Sequence, residues 1–334
     1  MRPLHRVHAS RLAFAFGCAC GTDPPPNTDP SSTGAATESS STSAASSDPT
    51  AGVGDTTTAD APAGTTADSA TDLPIDACLE QRAALELEIA AAFDLAAVDP
   101  TITADPDATP LVADLDGATF VHTHGDSSPS TIYESASTSK WVTAAIILDR
   151  VDRGDLTLDT TTSELLEFWP PPGVPLRALL SFTSGFDDEA PCINSPFADF
   201  DDCVQQMYEA GAVDAPAPGA VFHYSGSHLQ IAGLMAVRAA GVADWPALFA
   251  AWQADTGLFP TAAYDLPSAT NPRLAGGMHW TGEEYLGFLQ ALATGTLLAD
   301  DTRAAMLANQ RGDAIVEASP SIVSWGEDLS LIHI

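Results

Sequence analysis

The chain has 334 residues, 45% of them hydrophobic, and carries a formal net charge of −33 from 45 acidic and 12 basic residues. That length buries one sizeable core plus appendages. A surface so acidic repels nucleic acid and anionic lipid, which excludes both as direct partners.

Residues 1–20 read as an export segment. Arg2, Arg6 and Arg11 supply positive charge, Leu12 to Phe16 a short apolar run, and Gly17-Cys18 a processing point. A cysteine after a small residue, ahead of a polar tract, resembles a lipoprotein signal and makes Cys18 the lipidation candidate. An ordinary export signal, or a start that clips a longer one, is the other reading. The expected location is periplasmic or cell-surface, with membrane contact only through such an N-terminal anchor. Residues 21–75 are rich in Ser, Thr, Ala, Asp, Pro and Gly and contain no aromatic residue. They lack the apolar surface to offset the entropy of ordering, so a disordered tether is predicted.

From 76 to 328 the pattern is that of an ordered domain. Leu79, Ala83, Leu85, Ile89 and Phe93 have helical spacing, with Asp76 placed as a cap. Leu111–Leu115 and Ala118–Thr123 read as strands joined by Asp116-Gly117, a hairpin signal. A helix is predicted from about Thr138 to Asp152, stopping at Gly154. Pro170-Pro171-Pro172-Gly173 breaks the chain before a short helix ending near Leu180. Further helices are predicted at about Ser227–Ala240 and Trp245–Asp255, and one begins at Thr281, where Glu284 completes a capping box. A hairpin followed by many helices predicts an α+β fold, a helical lobe beside a sheet. No stretch after the start is long and apolar enough to span a membrane.

Cys192 and Cys203 lie near enough to close a small disulfide loop, which export permits. The absence of a Cys-x-x-Cys pair argues against a structural zinc site. His122 and His124 share one face of a predicted strand, and with no third ligand evident they read as surface histidines. No metal or other cofactor is expected.

Lysine usage carries the chemical clue. The chain holds one lysine, Lys140, against eleven arginines. A genome that writes Arg for any plain cation keeps Lys only where Arg fails, and Arg cannot be deprotonated in a protein. Ser137-Thr138-Ser139-Lys140 is a Ser-x-x-Lys, followed by the nearly all-apolar Trp141–Leu148. Ser137 is then predicted in the first turn of a buried helix, with Lys140 one turn on along the same face. The positive helix end and burial both disfavour a charged amine, and a neutral amine beside a hydroxyl activates a serine nucleophile. The plain structural reading of the same residues is a capping serine with a snorkelling lysine.

These residues resemble the β-lactamase-related serine hydrolases: class C β-lactamases, DD-peptidases and their esterase relatives. The stretch Ser135-Ala136-Ser137-Thr138-Ser139-Lys140 through Leu156-Thr157-Leu158-Asp159 is similar to that family's nucleophile helix and the turn after it. Leu179-Leu180-Ser181-Phe182-Thr183-Ser184-Gly185 resembles Leu-Leu-x-His-Thr-Ser-Gly, with Phe182 in place of the histidine. Pro218-Gly219-Ala220-Val221-Phe222-His223-Tyr224-Ser225 resembles Pro-Gly-x-x-Phe-x-Tyr-Ser, and Ala275-Gly276-Gly277 the turn entering a later helix. The resemblance implies a β-lactamase/transpeptidase-like fold, an antiparallel sheet flanked by helices. It implies Tyr224 as proton relay, its pKa lowered by Lys140, and the backbone of Ser137 as an oxyanion donor. Where the family has Tyr-x-Asn this chain has Tyr224-Ser225-Gly226, so Ser225, Gly226 and Ser227 become the pocket candidates. For Tyr224 the plain alternative is a core aromatic after a turn.

The family's Lys-Thr-Gly or His-x-Gly strand, which lines the acyl pocket, has no counterpart after residue 292. Leu329-Ser330-Leu331-Ile332-His333-Ile334 is what CTG-TCT-CTT-ATA-CAC-ATC encodes, a sequencing-adaptor end. Residues 329–334 are therefore expected to be an artefact, and the C-terminal strands to be missing. The expected function is acyl transfer through a Ser137 ester to water. The substrate is an ester, a D-Ala-D-Ala peptide of the peptidoglycan type or a β-lactam, with esterase or peptidase favoured over β-lactamase. The alternative is a non-catalytic, lipid-anchored binding module on the same scaffold.

Overall fold

The computed structural model describes residues 75–99, 107–187, 189–211 and 215–318. The readings made for the export segment, Cys18, most of the tether and Leu329–Ile334 concern residues outside these. The chain divides into two units between Leu87 and Glu88. The described part of the first is the start of helix α1 (Ile75–Ala97), and every other element belongs to the second. Asp76 falls inside α1, so the helix begins upstream of the cap read from sequence.

In chain order, β1 (Leu111–Ala113) and β2 (Thr119–Val121) form the hairpin, with Leu111 opposite Val121. Gly117 takes φ +88°, the left-handed backbone that its tight turn demands. Strand β3 (Ile132–Glu134) runs into α2 (Ser139–Asp152) through one turn of 3₁₀ helix. Two short helices, α3 (Thr162–Leu165) and α4 (Leu176–Leu180), follow, then α5 (Phe200–Gly211) and β4 (Val221–His223). After these come α6 (Ser227–Ala240), α7 (Trp245–Thr256), β5 (Ala263–Tyr264), β6 (Pro267–Ser268), β7 (Asn271–Pro272) and β8 (Met278–Thr281). The chain continues with α8 (Gly282–Ala293), α9 (Asp300–Leu307) and β9 (Ile315–Ala318).

Strand β8 is the middle of a three-stranded antiparallel sheet, β3-β8-β5, with Glu134 opposite His279 and Tyr264 opposite Met278. Two features depart from the sequence reading. The Ala275-Gly276-Gly277 turn enters strand β8 before α8 begins. A strand the sequence did not signal, β9, lies parallel to β4, with Val316 opposite Phe222. The architecture is thus mixed, an antiparallel sheet and a parallel pair packed with helices.

The core sits around α2 and α6. Val142 and Ala144–Leu148 on α2 are fully buried, and α6 is buried from Ser227 to Val237. Helix α6 packs against α2, α3, α4, α5 and α7, which is why it is buried over most of its length. Gly233 marks the tightest approach: a Cβ there would stand 2.0 Å from Leu274 Cδ1. No single described helix is long and apolar enough to cross a membrane. Helix α8 starts with the capping box read from sequence: Glu284 N–H donates to Thr281 Oγ1 and Thr281 N–H to Glu284 Oε2.

Cys192 and Cys203 form the disulfide, with Cα atoms 5.5 Å apart. It ties the 3₁₀ turn Pro191–Asn194 to α5.

Candidate active site

The end of β3 is locked to β8 by two hydrogen bonds. Ser135 N–H donates to Met278 O at 2.7 Å, and Met278 N–H donates to Ser135 Oγ at 3.1 Å. Ala136 then takes φ +43°, left-handed backbone that costs an L-residue with a Cβ and persists only where the surroundings enforce it. This reversal presents Ser137 in the 3₁₀ turn Ala136–Thr138, just ahead of α2 rather than within its first turn. The backbone of Ser137, the oxyanion donor implied by resemblance, lies in this turn. Side chains of α2 fasten this turn and the loop between β7 and β8: Ser139 Oγ donates to Ala136 O at 3.0 Å and Thr143 Oγ1 to Leu274 O at 2.7 Å.

Lys140 follows one turn on, buried to 3% exposure. Its Nζ donates to Ser137 Oγ at 3.0 Å and to the Ala275 carbonyl at 2.7 Å. Burial pulls its pKa down to about 8; the Glu189 charge opposes this and that of Arg273 adds to it. The Ala275 carbonyl is held in turn by α6. Fully buried Gln230 accepts from Leu274 N–H at 3.1 Å and donates to Pro272 O at 2.8 Å.

Tyr224 arrives from the end of β4, and its hydroxyl donates to Ser137 Oγ at 3.0 Å. Its ring is braced edge-on by fully buried Phe182 at 5.5 Å, and Lys140 Nζ sits over its face, 4.8 Å from the centroid. The Tyr224 pKa is raised, chiefly by burial, with the Ser137 hydrogen bond opposing and the Glu189 charge adding. This corrects the expectation that Lys140 lowers it: the cation faces the ring, and burial disfavours the phenolate.

The structure therefore brings Ser137, Lys140 and Tyr224 onto one oxygen. It treats the three pocket candidates differently. Ser225 is buried with its Oγ unpartnered, and Ser227 is buried with its Oγ accepting from Ala190 N–H at 3.4 Å. Gly226 faces Glu189, whose Oε2 lies 3.3 Å from where a Cβ would stand. In the segment where the family resemblance has histidine, Phe182 is stacked on His228 from α6, ring centres 5.1 Å apart. His228 bonds Ser184 Oγ and the His223 carbonyl at 2.7 Å each, and burial pulls its pKa down to about 4, keeping it neutral. His122 and His124 both reach Asp94 Oδ1, at 2.7 and 3.2 Å, which holds that carboxyl below its usual pKa. Among the described residues no group of three ligands could hold a metal ion.

Four residues at the site escaped the sequence reading: Ala275, Glu189, Asn194 and Arg273. Asn194 Nδ2 donates to Glu189 Oε1 at 3.1 Å, and Arg273 donates to Asn194 Oδ1 at 2.8 Å and to Gly276 O at 3.1 Å. No signal marked Glu189 among 45 acidic residues. Ala275 stood within the Ala-Gly-Gly motif, but nothing in the sequence marked its carbonyl as the second acceptor for Lys140.

The β-lactamase family model matches residues 107–319, well over half the chain. The chain belongs to the β-lactamase family. As a member it is a serine hydrolase with that family's mixed α/β architecture. A candidate β-lactamase from Bacteroides dorei DSM 17855 shares 30% identity with this β-lactamase-family chain, over 64% of this chain and 67% of the other, with a TM-score of 0.54. A D-stereospecific amidohydrolase from Streptomyces has 19% identity over 65% and 76% of the two chains, with a TM-score of 0.52. An octameric penicillin-binding protein homologue from Pyrococcus abyssi has 16% identity and a TM-score of 0.52, over 61% of this chain and 56% of its own. These last two likenesses are of fold alone. The chain spans about two thirds of the Bacteroides protein and little more than half of the Pyrococcus one. No curated protein sequence matches this chain.

Proposed function

We propose that this hydrolase cleaves esters or amides through an acyl-enzyme on Ser137, with Lys140 as base and Tyr224 as proton relay. The observation that carries the reading is convergence. Ser137 Oγ accepts from Lys140 Nζ and from Tyr224 Oη, each at 3.0 Å, and the amine titrates near 8. At pH 7 about a tenth of such an amine is neutral, enough to act as a base without a second proton acceptor.

The neutral amine takes the Ser137 proton as Oγ attacks the carbonyl carbon. The tetrahedral intermediate then collapses, breaking the C–O or C–N bond. The leaving group takes the Tyr224 proton, and the phenolate recovers one from the Lys140 ammonium. Water attacks the Ser137 ester next and returns the serine hydroxyl and free amine. Gly226, at the position where the resemblance has an asparagine, removes an amide donor from the pocket. That supports an ester or a peptide amide over a β-lactam as substrate.

The test is labelling of the chain by a fluorescent fluorophosphonate. Capture of the probe on Ser137, with loss in Ser137→Ala, is the expected result. Equal labelling of Ser137→Ala would overturn the assignment.

A further inference from the structure

We infer that Glu189 selects substrates whose acyl portion carries a positively charged amine close to the scissile carbonyl, an inference that rests on the acyl-enzyme reading above. Three observations place the carboxylate beside the Ser137 site. Its Oε2 stands 3.3 Å from the position a Cβ on Gly226 would occupy, directly after Tyr224-Ser225. That same position would lie 3.5 Å from the Cβ of Ala275, whose carbonyl holds the lysine. The charge of Glu189 also reaches the catalytic groups, raising the pKa of both Lys140 and Tyr224.

The carboxylate is held and yet has capacity to spare. Asn194 donates to Oε1 at 3.1 Å, while no described group donates to Oε2. Asn194 is itself held by Arg273, whose two terminal nitrogens go to Asn194 Oδ1 and Gly276 O. The cation beside the site is therefore committed to the protein, and the anion is the group left facing the pocket. Glu189 is exposed, so substrate can reach it. Glycine at 226 leaves the carboxylate uncrowded: a Cβ there would meet Oε2 at 3.3 Å and the carboxyl carbon at 3.4 Å, so a larger side chain would shift the Glu189 end. An ammonium on the acyl portion would donate to Oε2 in a charge-assisted hydrogen bond, and an anion in the same place would be repelled. The Ser137–Gly226 side of the pocket is thus built for a free amine, as in amino acid esters or amides.

The experiment compares kcat/KM for alanine p-nitroanilide with that for N-acetylalanine p-nitroanilide, each as the D and L forms. The two differ in the charged amine. Any change in Lys140 basicity acts on both alike and cancels in their ratio. The wild-type chain is expected to favour the free amine in at least one stereochemical series. Glu189→Gln should lower that ratio about tenfold. Gly226→Asn, which crowds Oε2, should lower it as well. An unchanged ratio in Glu189→Gln, or no turnover of the free-amine probe, overturns the inference while fluorophosphonate capture at Ser137 leaves the acyl-enzyme reading standing. Failure of Ser137 to capture that probe overturns both.

Discussion

Lys140 Nζ lies over the face of the Tyr224 ring, 4.8 Å from its centre, while both side chains reach the same Ser137 oxygen. The two groups thus meet that oxygen from different directions. The contact between amine and phenol is through the π face, so the ring can brace the lysine independently of its hydroxyl.

Tyr224→Phe separates those roles. The phenyl ring keeps its place over Lys140 and against Phe182, and only the donor to Ser137 is lost. Turnover of p-nitrophenyl acetate should fall about 10²–10³-fold, the usual contribution of a positioned proton donor. Thermal unfolding of the variant should stay within a few degrees of wild type.

The pH profile follows from the amine. With neutral Lys140 as the base, as proposed, and its pKa at about 8, kcat/KM should rise with pH and level off above that value. The Glu189 charge raises this pKa, so Glu189→Gln should move the rise to lower pH. Lys140→Arg should abolish the rise and lower kcat/KM by about 10³-fold or more, since guanidinium does not deprotonate.

Stability should depend on pH through the same group. Lys140 titrates at about 8 when folded against 10.5 for the ordinary side chain. Between those values the unfolded chain binds more protons, so stability rises with pH; below about 8 the cost of burying the ammonium is present in full. Lys140→Met should flatten this segment of the Tm–pH curve and raise Tm at pH 7, while losing turnover.

Gln230→Leu tests the support beneath the lysine. It leaves Leu274 N–H and Pro272 C=O without their buried partners and should cost about 2–5 kcal/mol by urea denaturation. Turnover should fall in the variant that still folds, because the Ala275 carbonyl loses its anchor.

Replacing Cys192 and Cys203 by serine frees an 11-residue separation in the unfolded chain. The expected loss is about 3 kcal/mol, read as a lower Tm of the variant than of oxidised wild type. The same bridge holds the turn bearing Asn194, so Glu189 loses part of its support.

Much of this molecule was legible residue by residue. The spacing of Ser137 and Lys140 set both groups one turn apart, Asp116-Gly117 gave its hairpin, and Thr281 with Glu284 started α8. These features depend on neighbours within a few positions, where backbone geometry leaves few choices. The single lysine pointed to a group whose proton matters, and the structure buries it to 3% exposure, which lowers its pKa.

Only the tertiary structure decided the rest, because it depends on groups far apart in the chain. The second acceptor for Lys140 is a backbone carbonyl 135 residues away, and Tyr224 reaches Ser137 across 87. Burial, a property of the whole packed core, turned the Tyr224 pKa upward where pairwise reasoning from Lys140 pointed down. The parallel pairing of β9 with β4 brings together short strands with no local mark of partnership. Glu189 became distinguishable from the other acids only when Gly226 was folded against it.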